Sequence, residues 1–130
     1  MGGEPQLTVT EERMLVIVAL CWIESRYTND IVKEMRAGQT QMAQAFKHLL
    51  TSKNIIYETV YSAQIAGFIV QKARSMSNER ATLALFNEVT DKGVRWMERC
   101  IKARLDPSVV GKITRDDVLE LVRLTLEKVW

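Results

Sequence analysis

Between residues 52 and 57 the chain reads Ser52-Lys53-Asn54-Ile55-Ile56-Tyr57. A hydroxyl, an ammonium, a carboxamide and a phenol thus fall within about two helical turns. Asn offers the donor–acceptor pair that matches the major-groove edge of adenine, and Lys meets guanine or phosphate. If a helix holds these groups on one exposed face, their chemistry is recognition rather than bond-making. Further cations follow at Lys72, Arg74 and Arg80, and Arg suits a narrow minor groove. Arg95, Arg99 and Lys102 fall at helical spacing, which fits a phosphate contact and a solvated face equally well.

Groups that make and break bonds are sparse. His48 is the single histidine, and its helical setting suits a structural or surface role. No Cys/His spacing suits zinc, and no Gly-rich phosphate loop is present. The acid pairs Glu11-Glu12 and Asp116-Asp117 stand at expected helix starts, where the helix dipole accounts for them. The sequence therefore predicts a protein that is not an enzyme, without catalytic residues, metal or cofactor. Cys21 and Cys100 lie in apolar helical stretches with no obvious basic neighbourhood to lower their pKa, and read as buried free thiols of a cytoplasmic protein, with redox sensing as the alternative.

The net charge of +2 hides an uneven distribution. Residues 40–104 carry ten bases against five acids, whereas 1–39 carry four against six and 105–130 four against five. A basic middle between near-neutral ends suits a polyanion. The apolar run Met14–Ile23 has ten residues, too few to span a bilayer, so no membrane partner is expected.

These groups need elements to hold them. Scarce Pro and Gly with long periodic stretches favour a mostly α single domain over 1–130. Thr8 and Glu11 form a capping-box pattern that opens a helix reaching about Ser25. Its apolar surface is so wide that it must lie centrally or meet a partner chain. A short helix fits 28–37, capped by Thr28 and closed by Gly38. A third follows Thr40, with Ala43, Phe46, Leu49 and Leu50 inward. Thr51-Ser52 then makes a tight turn and caps a fourth helix, 53–66, which buries Ile56, Val60 and Ala63. Propensity alone would make IIYETVY a strand; Ser52 as cap and Gly67 as stop favour helix. FIVQKAR (68–74) and ATLALFNEV (81–89) read as a hairpin around a turn at 75–79. Thr90 caps a helix to about 104, ended by Asp106-Pro107, with Val94, Met97, Ile101 and Leu105 on one side. After a connector at 108–113, Thr114 and Asp117 open the last helix. There Leu119, Val122, Leu126 and Val129 form a two-heptad seam, widened by Leu121, Leu124 and Trp130. A homodimer through helices 8–25 and 114–130, using Leu15, Val18, Trp22, Leu119, Val122 and Leu126, would cover this apolar surface; packing within one chain is the alternative. The DNA-binding lobe would be 40–104.

Helix, helix, tight turn, helix, hairpin, helix is the plan of a winged helix-turn-helix. In it a support helix holds a second helix in the major groove and the hairpin reaches the adjacent minor groove or the phosphates. The stretch AFKHLLTSKNIIYETVYSAQIAGFIVQ (45–71) resembles the MarR family in its rhythm of Leu49, Ser52-Lys53, Ile56, Val60 and Gly67-Phe68-Ile69. SNERA (77–81) is similar to that family's acidic-x-Arg wing, and VTDKG (89–93) to its LT-x-x-G start of the next helix. The resemblance covers about 50 of the 130 residues. Ala63 stands where a large Leu is usual, the hairpin is a few residues longer, and the helix 28–37 is additional. In a rival register, 28–37 and 40–53 are the helix-turn-helix pair and NIIYETV is the first wing strand. Ser52-Lys53, Thr59-Val60 and Ala66-Gly67-Phe68-Ile69 are also similar to TubR-type centromere-binding adaptors of plasmid partition.

The resemblance implies sequence-specific binding of double-stranded DNA by a homodimer in transcriptional regulation, or alternatively in segregation. Ser52, Lys53, Asn54 and Tyr57 would enter the groove, and Lys72, Arg74 and Arg80 would serve the wing. It also implies a small apolar effector, near which Trp22, Trp96 and Met97 would lie; plain core is the competing reading for these three. A helical protein-interaction adaptor that binds no DNA is the remaining alternative. Under the wing assignment, Arg80→Ala weakens duplex binding and lowers its salt dependence, because one phosphate contact fewer releases fewer counterions. Anisotropy titrations over a range of salt check this, and an unchanged slope removes Arg80 from the interface.

Overall fold

Two reciprocal hydrogen bonds begin the first helix: the Glu11 N–H donates to Thr8 Oγ1 (3.1 Å) and the Thr8 N–H to Glu11 Oε1 (2.9 Å). The computed structural model describes residues 7–24, 26–75, 83–105 and 115–127. The elements are α1 (Val9–Ile23), β1 (Arg26–Tyr27), α2 (Thr28–Ala37), α3 (Gln41–Phe46), α4 (Lys53–Ile65), β2 (Ile69–Ser75), β3 (Leu83–Val89), α5 (Asp91–Ile101) and α6 (Arg115–Glu127). The protein is thus mostly helical with one antiparallel hairpin. A two-residue strand joins the hairpin, giving the sheet order β1–β3–β2. No helix among the described residues is long and apolar enough to cross a membrane. The expected turn beyond Ser75, Arg80, the connector at 108–113, Thr114, Val129 and Trp130 lie outside those residues.

α1 is the central post. Every residue from Met14 to Cys21 is buried, because α4, α5, α6 and β3 pack around it. A helix apolar on all sides has to be enclosed in this way. Leu15 and Val18 are sealed inside the protomer, as is Val122 on α6, so the dimer contact expected of these three would require opening the protomer's own core. The inward residues of α6 are Val118 and Val122, one turn apart. Relative to the expected seam, Leu119 and Leu126 are rotated to its half-buried margin, as Trp22 is on α1.

α4 is helical despite its β-prone composition. The Ser52 hydroxyl accepts from the Ile55 N–H (3.2 Å). At the other end Gly67, at φ +80°, closes a Schellman pair in which Phe68 N–H donates to Ala63 O (2.9 Å) and Gly67 N–H to Gln64 O (3.0 Å). With both ends satisfied, Ile56, Thr59, Val60 and Ala63 face inward together, and burial outweighs local propensity. The rival register, with a strand over 54–60, therefore does not hold. The neighbours of α4 also differ from expectation. It packs on α1 and α2, while α3 packs on α2. The six-residue α3 is too short to brace a 13-residue helix, so the bracing falls to α2.

The hairpin is fixed to this frame by two polar joints. Asn87 on β3 is fully buried. Its Nδ2 donates to Thr28 Oγ1 at the start of α2 (3.0 Å), and its Oδ1 accepts from Gln64 Nε2 near the end of α4 (3.0 Å). Thr28 is thus the first residue of α2 rather than its cap, which is Tyr27. The second joint is at Thr90, the cap of α5. Its N–H donates to Phe68 O (3.0 Å), its hydroxyl donates to Gly67 O (2.5 Å), and the same oxygen accepts from Gly93 N–H (3.0 Å).

This second joint brings the first turn of α5 against the backbone of residue 68. A Cβ on Gly93 would stand 2.1 Å from Phe68 O and 2.9 Å from its carbonyl carbon, a contact only backbone movement relieves. Gly93→Ala is expected to cost about 2–4 kcal/mol, read as a lower denaturation midpoint in urea. A variant as stable as the parent would show that the joint is looser than described.

Candidate functional site

The N-terminal half of α4 is the exposed polar surface the sequence pointed to. Ser52, Lys53, Asn54 and Tyr57 all reach solvent, at the end of the helix where unpaired N–H groups and the dipole favour an anion. The Ser52 hydroxyl already accepts the capping hydrogen bond; its proton is left for a partner. Lys53 Nζ lies 5.6 Å from the centre of the Tyr57 ring, a cation–π arrangement. Tyr57 is anchored in turn, its hydroxyl donating to Asn29 Oδ1 on α2 (2.6 Å). Sequence reasoning missed Asn29, because a contact across 28 positions leaves no local signal.

Further along α4 the outward face changes character. Tyr61 is 64 % exposed and Ile65 68 %, one turn apart on the line that begins at Tyr57. Gln64, near the end of α4, is half-buried and holds Asn87. Beside this line an open depression of about 670 Å³ runs between the start of α2 and α4. Asn29, Asp30 and Lys33 line one side of it, Tyr57 and Tyr61 the other.

On the hairpin, Lys72 is exposed and its Nζ lies 3.1 Å from Glu88 Oε1 on the neighbouring strand. An exposed pair of this kind is worth about 0–1 kcal/mol, so a phosphate could displace the carboxylate. Arg74 stands in β2 opposite Ala84, on the strand that also carries Lys72. The structure thus gathers Ser52, Lys53, Asn54 and Tyr57 on one helix end and sets Lys72 and Arg74 on one strand.

The remaining chemical candidates are structural. Met97 is fully buried and Trp96 stacks flat on Phe68, with ring centres 4.4 Å apart and an interplanar angle of 12°. Glu11 serves the α1 capping box, and His48 is exposed in the turn after α3. Among the described residues, no three His, Cys, Asp or Glu side chains gather where they could hold a metal ion. Compared with protein-family models, curated proteins and solved structures, the chain finds no match.

The Cys100 thiol is half-buried, and burial, assisted by the charge of Glu11, pushes its pKa from 9.0 up to about 11. Since the thiolate is the reactive form, this environment suppresses redox chemistry. Labelling by a thiol reagent should be slow near neutral pH and accelerate only as pH approaches about 11. The folded thiol keeps its proton beyond the pH at which the unfolded one loses it. The resulting stabilisation is complete below about 9.0 and is lost as pH rises toward about 11. Rapid labelling of Cys100 at neutral pH would contradict this.

Proposed function

We propose that the chain is a winged helix-turn-helix protein that binds double-stranded DNA, with α4 as the groove-entering helix, α2 as its support and the β2–β3 hairpin as the wing. The observation that carries this reading is the exposed N-terminal half of α4. Ser52, Lys53, Asn54 and Tyr57 stand together there on a capped helix braced from behind by α1 and α2. Groove-reading helices work through their N-terminal residues. The element order supports the reading, because the hairpin follows this helix directly. Asn54 would read adenine, Lys53 would meet guanine or phosphate, and Lys72, Arg74 and Arg80 would hold the backbone. The biological role that fits is transcriptional regulation, exercised as a homodimer. The half-buried leucines of α6, Leu119, Leu121 and Leu126, support that assembly; Leu15, Val18 and Val122 have no part in it.

A second reading, an adaptor that binds another protein, is favoured by one feature: the exposed Tyr61 and Ile65, with Val70 on β2 also exposed. A gel shift with a random-sequence duplex pool at low salt separates the two, since only the DNA binder retards the pool. Selection from the pool should then yield a preferred sequence. Lys53→Ala is expected to weaken binding by about tenfold and to lower the salt slope by about 0.9. Asn54→Ala should relax the preference at one base position. If the wild-type protein leaves the pool unshifted, the adaptor reading replaces this one.

A further inference from the structure

We infer that the outward face of α5, together with the turn that ends it, is a second and sequence-independent contact for nucleic-acid phosphates. This rests on the DNA-binding reading above and extends it to an element that the reading leaves without a role. Arg95, Arg99 and Lys102 follow one another at intervals of four and three residues and are all exposed, so they share one face. They extend along about 10 Å of helix, the axial rise of roughly three nucleotides of one strand. Arg104, 72 % exposed, joins them. With Glu98, these four cations line an open depression of about 560 Å³.

The turn itself shapes the cationic surface. Lys102 adopts a left-handed conformation (φ +57°), and the Ala103 N–H returns to Glu98 O (3.2 Å). The chain folds back, which sets Arg104 beside Glu98, with Nε 4.0 Å from Oε2. Among the described residues, Glu98 is the one acid lining the depression, and it is already engaged, accepting from the Leu105 N–H (2.8 Å). Glu11, the acid near Cys100, is occupied by the capping box of α1. Among the described residues, no carboxylate pairs with Arg95 or Arg99. The helix dipole accounts for cations in the last turn, but not for Arg95 a turn earlier or for Arg104 beyond the helix. Charges spread over such a length serve a small anion poorly and a regularly spaced polyanion well. Arginine, with its planar fork, is the side chain best suited to phosphate.

The test uses the full chain, a fluorescent random-sequence duplex of about 30 base pairs and anisotropy titrations over a range of salt. The Arg95→Gln/Arg99→Gln double variant is expected to lose about tenfold in affinity at low salt. Its slope of log affinity against log salt should fall by about 0.9 for each contact removed, while the sequence selected from a random pool stays that of the wild type. Arg104→Gln, outside the helix, should show a smaller loss of the same kind and serves as the probe should the double variant fold poorly. If these variants keep wild-type affinity and slope while Lys53→Ala is weakened, the α5 face is idle and the inference falls, with the reading of α4 intact. If the wild-type protein itself leaves the duplex unbound, that reading fails and this inference with it.

Discussion

Asn87 is a carboxamide fully enclosed by protein, and its hydrogen bonds reach two different helices. A buried polar group left without a partner costs about 1–3 kcal/mol, so the strand, the start of α2 and the end of α4 are tied to one geometry. A slip of β3 by one residue would turn Asn87 to the opposite face and strand Thr28 and Gln64 together. Apolar packing around α1 decides that these elements gather. This polar joint decides the angle at which they meet, and hence the direction in which the free end of α4 points.

The joint at Thr90 completes the constraint. The Schellman turn at Gly67 delivers Phe68 to the point where Thr90 collects two carbonyls, and Gly93 allows the approach. Because α5 is fastened to the end of α4 through backbone atoms, the cationic face of α5 and the polar end of α4 belong to one frame. Trp96 on Phe68 and Lys92 over the same ring, 5.8 Å from its centre, pack the outside of the corner. A helix held this way at its C-terminal end leaves its N-terminal end as the part able to meet a partner.

What was legible in the sequence was local. Thr8 with Glu11, Thr40, Ser52 and Thr90 all act as the caps their positions implied, and Gly38 and Gly67 take the positive φ their places require. These signals depend on residues within one turn, which a sequence lays side by side. What was not legible depended on partners far along the chain. Periodicity shows that Leu15, Val18 and Val122 must be covered, but not by what; here the protomer covers them. That Val118 rather than Leu119 accompanies Val122 inward is not readable from a stretch, 118–126, where apolar residues occupy six of nine positions and both neighbours are apolar. Asn87 carried no signal at all, since an isolated Asn in a strand reads only as a poor strand former. The role of α2 was hidden because its tie to α4 passes through Asn29 and Tyr57, 28 positions apart.

The charge on α4 constrains how the proposed interface must work. Over its 13 residues the helix has one base, Lys53, and one acid, Glu58. Affinity for DNA comes largely from phosphates neutralised and counterions released, roughly in proportion to the contacts made, and a helix with no net charge supplies little of it. On the proposed reading α4 would therefore discriminate, and the holding force would have to come from elements around it. The cations of the basic middle of the sequence lie mostly after α4, on the hairpin and on α5. Phosphate contacts position a protein while base contacts specify its site. On that reading the two tasks would fall to separate elements, which the hydrogen bonds of the Gly67–Thr90 corner tie together. Such a separation would explain the apolar second half of α4. Tyr61 and Ile65 are not needed for attraction, provided the elements that hold the backbone are themselves cationic.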